Sequence, residues 1–167
     1  VGSDDGTLYA LDADDGSVQW TFEVGDNVSS GATVDDGVVF VGCNDSRVYA
    51  VDAADGSKVW SFEASDRVRT APAVADGTLY VGTDVADVYA IDAADGTEVW
   101  SFETGPDNNY IDGEPTVVDG TVYVTSSTGD LFALTTGDGA VEWSFAAEDR
   151  MYASPTVGDD HVYVGCS

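Results

Sequence analysis

Short runs of alternating apolar and polar residues, separated by Asp-Gly pairs, follow one another along the whole chain. Thr78-Leu79-Tyr80-Val81 and Val88-Tyr89-Ala90-Ile91 carry the two-residue period of strands, and β-branched and aromatic residues are prominent in them. Asp-Gly pairs at 36 and 37, 76 and 77, and 119 and 120 supply the positive φ of tight hairpins. Over residues 68–103 the pattern predicts four strands: an innermost one at 68–74, then 78–83, 87–92, and an outermost one at 98–103. No helical periodicity or internal proline run interrupts it.

The four tryptophans, Trp20, Trp60, Trp100 and Trp143, recur at intervals of 40, 40 and 43 residues, each closing the same phrase. It reads Ala10-x-Asp12-x-x-x-Gly16-x-x-x-Trp20, and again Ala50, Asp52, Gly56, Trp60, and Ala90, Asp92, Gly96, Trp100. A fourth copy keeps Ala133, Gly139 and Trp143 but has Thr135 in the aspartate position. A period of about 40 residues built from four short strands signals a propeller blade. The expected fold is all-β: a β-propeller region over 1–167 of four-stranded antiparallel blades, with four blade-equivalents in repeats of approximately 1–40, 41–80, 81–123 and 124–167.

The phrase has a physical reason. An aspartate ending the third strand can bond turn amides, the glycine supplies the reversal, and the tryptophan can then pack toward the next blade.

On these residues the chain resembles the pyrroloquinoline-quinone (PQQ) repeat propellers, a family of quinoprotein alcohol dehydrogenases, outer-membrane assembly lipoproteins and sensor domains of some membrane kinases. WD40 repeats are nearest in period. Here, however, each tryptophan precedes Ser or Thr and then Phe, as in Trp60-Ser61-Phe62, and the Gly-His and Trp-Asp marks of WD40 are missing. The resemblance covers nearly the whole chain and speaks for the blade; members with and without an active site share the phrase.

The ends are in the same phase. Val1-Gly2-Ser3 matches Val41-Gly42-Cys43, and Val164-Gly165-Cys166 repeats that element. The first blade therefore lacks its two inner strands and the last segment has only those two. Three arrangements stay open: an arc of a larger seven- or eight-bladed ring, a closed four-bladed ring, or a head-to-tail dimer. With no initiator methionine or signal segment in view, the larger parent is the expectation. A lone open arc is least expected, because its edges invite association.

Charge bounds the partners. With 32 acidic residues against 5 basic ones the formal charge is −27, which opposes nucleic acid and anionic membrane surfaces. Two like charges 10 Å apart repel by about 0.4 kcal/mol in water, and molar salt shortens the Debye length to about 3 Å. The composition resembles that of halophilic archaeal proteins, and stability at molar salt is expected.

Candidate chemistry is sparse. Serine-nucleophile, P-loop and zinc-spacing motifs are absent. Cys43 and Cys166, at equivalent strand ends, are expected to be two independent buried thiols. In quinone-binding relatives a disulfide between adjacent cysteines covers the cofactor, and no Cys-Cys pair exists here. Asp12 to Gly16 looks like the start of a calcium loop, but its glycine comes one residue early for an EF-hand and turn chemistry is the better reading. His161, the only histidine, is expected at the surface. The sequons Asn27-Val28-Ser29 and Asn44-Asp45-Ser46 would suit a surface protein, though with Ser and Thr this frequent chance explains them about as well.

One constellation recurs between the outermost strand of one blade and the innermost of the next. Asn27, Arg67, Tyr110 and Arg150 fall at equivalent positions, and two residues on so do Ser29, Arg69, Asp112 and Tyr152. Three of the five basic residues thus share one zone, which innermost strands would place at a channel mouth. The structural alternative is that Arg67 and Arg150 pair with Asp66, Asp149 or nearby turn carboxylates. The loop 104–113 is three residues longer than its counterparts, as functional loops often are.

The expected function is a non-catalytic binding or scaffold propeller of an exported, cell-surface halophilic protein, contacting a protein or small anionic ligand at that mouth. No catalytic residue, metal ligand or cofactor is expected, nor membrane insertion; self-association through open blade edges is. The alternative is a fragment of a PQQ-dependent alcohol or sugar dehydrogenase. The resemblance would then imply calcium held by Glu, Asn and Asp, for which only Glu114 and the Asn108-Asn109 pair are candidates.

Overall fold

A computed structural model describes residues 1–105 and 109–166. Every regular element among them is a strand. A hairpin of β1 (Thr7–Leu11) and β2 (Val18–Glu23) comes first. Three four-stranded antiparallel sheets follow. The first is β3 (Ala32–Asp35), β4 (Val38–Cys43), β5 (Arg47–Asp52) and β6 (Lys58–Glu63). The second is β7 (Ala73–Ala75), β8 (Thr78–Gly82), β9 (Asp87–Asp92) and β10 (Glu98–Glu103). The third is β11 (Thr116–Val118), β12 (Thr121–Thr125), β13 (Asp130–Thr135) and β14 (Val141–Ala146). A last pair, β15 (Thr156–Val157) and β16 (Val162–Tyr163), ends the chain.

The hairpin turns follow the expected chemistry. Asp36, Asp76 and Asp119 take positive φ beside Gly37, Gly77 and Gly120. In the longer turns Asp12, Asp52 and Asp92 each accept a main-chain amide two residues on, and the glycine amide returns to the carbonyl of that aspartate. Asp15, Asp55 and Asp95 do the same for Ser17, Ser57 and Thr97, so these carboxylates serve turns.

The sheets pack face to face, and the core lies between them. One cluster joins Phe40, Val48 and Trp60 of the first sheet to Leu79, Val81 and Ile91 of the second; another joins Tyr80, Val88 and Trp100 of the second to Val122, Val124 and Leu134 of the third. The outer strand skips one residue in its register immediately before each tryptophan, opposite Ala10, Ala50, Ala90 and Ala133. Such a bulge re-aims the next side chain. The indole of Trp20 donates to the carbonyl of Ala53 at 2.9 Å, that of Trp60 to Ala93 at 3.0 Å, and that of Trp100 to Thr136 at 2.9 Å. Each blade is thereby tied to the turn of the next.

Three expectations change. The innermost strand is much shorter than 68–74, because residues ahead of Ala73 bond between blades instead of along a ladder. A single-chain closed four-bladed ring does not form: among the described residues the β1–β2 and β15–β16 sheets stay separate. Cys43 is buried as expected, but Cys166 is exposed, since no third strand covers β16.

Candidate binding site at the rim of the arc

The eight recurring residues sit on segments that run just ahead of the innermost strands. Val28, Val68, Ile111 and Met151 are buried on one side of these segments, which turns their neighbours outward. The segments stitch adjacent blades. The amide of Val68 donates to Cys43 of the preceding sheet at 3.1 Å, while the carbonyl of Arg67 accepts from Asp84 of its own sheet at 3.0 Å. Val28 with Ser3, and Ile111 with Thr83, repeat the first bond; Asn27 with Asn44, and Tyr110 with Ser127, repeat the second. Glycine permits the approach: a Cβ on Gly42 would lie 2.6 Å from Val68, and one on Gly82 would lie 2.3 Å from Ile111.

Toward the axis, the Thr33 hydroxyl donates to the Pro72 carbonyl at 2.5 Å and that of Thr116 to Pro155 at 2.6 Å. These bonds hold innermost strands of neighbouring blades together and fix the spacing of the rim.

Each rim position has its own chemistry. The Asn27 amide lies between Asp26 and Asp4, and the Ser29 hydroxyl donates to Asn44 at 2.9 Å. The Arg69 guanidinium pairs with Asp84 at 3.1 Å. Burial pushes the Asp84 carboxyl above its usual range, against the pull of Arg69 and Arg67 and with help from Asp66 and Asp112. Asp112 itself is exposed. Across the last blade boundary Tyr110 and Tyr152 stack with ring centres 6.3 Å apart, and Arg150 donates to the Tyr152 hydroxyl at 3.0 Å. That bond, with the Tyr110 hydroxyl nearby, holds the Tyr152 phenol below the ordinary tyrosine range. A cleft of about 230 Å³ opens beside them, lined by Tyr110, Ser127, Thr128, Glu148, Asp149 and Arg150.

The acidic neighbours of two arginines do something other than neutralise them. Asp66 and Asp149 accept the main-chain amides of Arg67 and Arg150 at 2.7 and 2.8 Å. The ion pairs among the described residues are Arg47–Glu63 and Arg69–Asp84, so Arg67 and Arg150 take part in neither. The geometry brings Tyr110, Arg150 and Tyr152 together, and separately Arg67, Arg69, Asp84 and Asp112. Asn27 and Ser29 stand apart on the first blade. Sequence reasoning missed Asn44, Asp84 and Ser127; their shared place, one or two residues past the second strand, was the available signal.

Of the residues suggested for a calcium-held quinone, Asn109 does not fit that role. Asn109 is buried, its carbonyl oxygen accepts from Tyr110, Ser127 and Thr128, and its amide donates to Thr104. That side chain is spent on the loop. Asn108 lies outside the described residues. A carboxylate oxygen of Glu114 lies 3.9 Å from where a Cβ on Gly31 would stand.

The family profile described as outer membrane protein assembly factor BamB matches residues 4–111 and 85–166. Among solved structures, BamB from Moraxella catarrhalis is 24% identical, with a TM-score of 0.84 over 98% of this chain and 50% of that one. The computationally designed Ika8 protein is 16% identical, with a TM-score of 0.86 over 99% of this chain and 51% of that one. The chain thus spans about half the length of both. Quinohemoprotein alcohol dehydrogenase ADHIIG from Pseudomonas putida HK5 is 28% identical, with a TM-score of 0.70 over 86% of this chain and 23% of that one. No curated protein sequence matches the chain. With two overlapping profile matches that span the repeats from the first tryptophan to the last, the chain belongs to the PQQ-repeat, BamB-like family of β-propellers.

Proposed function

We propose that the chain is a non-catalytic binding propeller of an exported, halophilic protein and that it receives a protein segment at the rim. The observation that carries this is the Tyr110–Tyr152 stack with Arg150 against it, beside an open cleft. Stacked phenols give rigid contact area, and a guanidinium outside the two ion pairs among the described residues can bond main-chain carbonyls or a terminal carboxylate. Glu148 and Asp149 in the same cleft, and the charge of −27, disfavour ligands with several negative charges. A peptide with one carboxylate fits better than a polyanion. The assembly role in the BamB family description supports a protein partner and an exported setting.

The test uses fluorescein-labelled random decapeptides in 3 M KCl, with free or amidated C termini. Binding should favour the free carboxylate, and Arg150→Ala or Tyr152→Ala should weaken it at least tenfold. Unchanged binding in both variants would reduce the rim to a structural seam. Titration with PQQ and calcium serves as the second arm: saturable tryptophan quenching that needs both would favour the dehydrogenase reading instead.

A further inference from the structure

The residue just before each rim position is Asp26, Asp66, Asn109 or Asp149, three carboxylates and one amide. All four do the same local work. Each accepts the main-chain amide of its successor, Asn27, Arg67, Tyr110 and Arg150, at 2.8, 2.7, 3.0 and 2.8 Å. A carboxylate oxygen serves that bond as well as an amide oxygen does, so the bond does not explain the exception.

The surroundings do. Asp26 and Asp149 are exposed and Asp66 is half-buried, whereas Asn109 is 2% exposed. Its oxygen takes two further bonds, from the Ser127 hydroxyl at 3.0 Å and the Thr128 amide at 3.3 Å. Its nitrogen donates to the Thr104 hydroxyl at 3.2 Å, and that hydroxyl gives its own proton to the Ala86 carbonyl at 3.0 Å. So bonded, Thr104 can only accept from position 109. An aspartate there would set lone pair against lone pair and hold its charge away from water.

Position 109 stands one bond behind the cleft beside the tyrosine stack. Tyr110, Ser127 and Thr128, three of the residues lining that cleft of about 230 Å³, are all bonded to the Asn109 side chain. The charges in the cleft come from its other lining residues, Glu148, Asp149 and Arg150. Salt solution reaches the exposed Asp149 and screens it. A charge at the buried position 109 would act on the cleft through protein, where molar salt screens far less.

We propose that Asn109 sets the charge preference of the cleft: as an uncharged residue behind the wall it lets Arg150 take a ligand carboxylate, which an aspartate at that place would repel. This inference rests on the peptide-binding reading of the rim and names the residue that makes that binding selective for a free C terminus. Asn109 is a positioning residue for Tyr110, Ser127 and Thr128, and its neutrality is what the ligand's charge reads.

The test compares fluorescein-labelled random decapeptides with free and with amidated C termini, in 3 M KCl, on the whole chain. The wild type should prefer the free carboxylate. Asn109→Asp keeps the three acceptor bonds and adds the charge; it should weaken the free-carboxylate peptides at least fivefold more than the amidated ones. Asn109→Ser, neutral but too short for all four partners, should weaken both kinds alike, by at least threefold, and keep the wild-type ratio. That ratio is the readout that a merely structural role would not move. Circular dichroism reports whether each variant is folded, and if Asn109→Asp is not, Asn109→Ser decides: unchanged binding in it would overturn the proposal. An unchanged ratio in folded Asn109→Asp, or a wild type indifferent to amidation, would overturn it and leave peptide binding at the rim intact. A wild type that binds neither kind of peptide would overturn both.

Discussion

The Trp60 indole rests on Gly96, where a Cβ would sit 2.7 Å from the ring, and Gly77 provides a natural control. The two glycines have nearly the same backbone, with φ of +76 and +75, but Gly77 has open space around it. Gly77→Ala should cost the left-handed penalty alone, about 1–2 kcal/mol. Gly96→Ala should add overpacking of about 1–3 kcal/mol, because the neighbour is a rigid ring. Equal losses in urea melts at high salt would mean that the indole does not depend on that glycine.

Tryptophans at the same place in the repeat should differ in worth. Trp60 is 8% exposed and bonded to Ala93, whereas Trp143 is 41% exposed with no following turn beneath it. Trp60→Ala should cost about 3–5 kcal/mol. Trp143→Ala should cost under about 1 kcal/mol. Similar losses at both sites would break the link between burial and position in the arc.

Salt should set the stability. No Asp or Glu among the described residues is fully buried, so the carboxylates repel through water and ions can screen them. The melting temperature should rise steeply between 0.1 and 3 M KCl. Equal values would remove the halophilic reading.

At high salt, acid should act through the turns. Side-chain and backbone bonds hold the carboxyls of Asp15, Asp55, Asp95 and Asp138 below the ordinary aspartate value. A depressed folded-state value stabilises the fold above the unfolded value of about 3.9 and loses that stabilisation as pH falls toward the folded value. Stability in 3 M KCl should therefore be level from neutral pH to about 5 and decline below about 4. A rise in stability below pH 4 at that salt would show that residual repulsion still outweighs the turn bonds.

The two thiols should separate kinetically. Burial pushes Cys43 up to about 11, and its sulfur faces the carbonyls of Asp26 and Asn27. Cys166 is exposed. In dilute protein a thiol reagent at pH 8 should modify one cysteine at once and the other only on unfolding. Two fast equivalents would place Cys43 outside the core.

Much of the blade was legible because it is local. Alternation in Val88 to Ile91 and positive φ at Asp76-Gly77 need no distant partner, so strands two to four of the second blade fall within a residue of where the pattern puts them. The innermost strand was not legible. Val68 reads as strand by composition, but its amide is taken by Cys43, a residue 25 positions earlier on another sheet. The rim was legible as a set of equivalent positions, and its pairings were not. Arg67 and Arg69 look alike in the chain; only Arg69 reaches Asp84.

By itself the amino-acid sequence determined the repeat, the turn chemistry and the strand faces, because each follows from the conformational preferences of a few adjacent residues. Tertiary structure alone decided which indole has a turn to lie on and which arginine pairs with Asp84. Those outcomes depend on what the neighbouring blade presents some 40 residues away, and identical motifs meet different neighbours at the middle and at the ends of the arc.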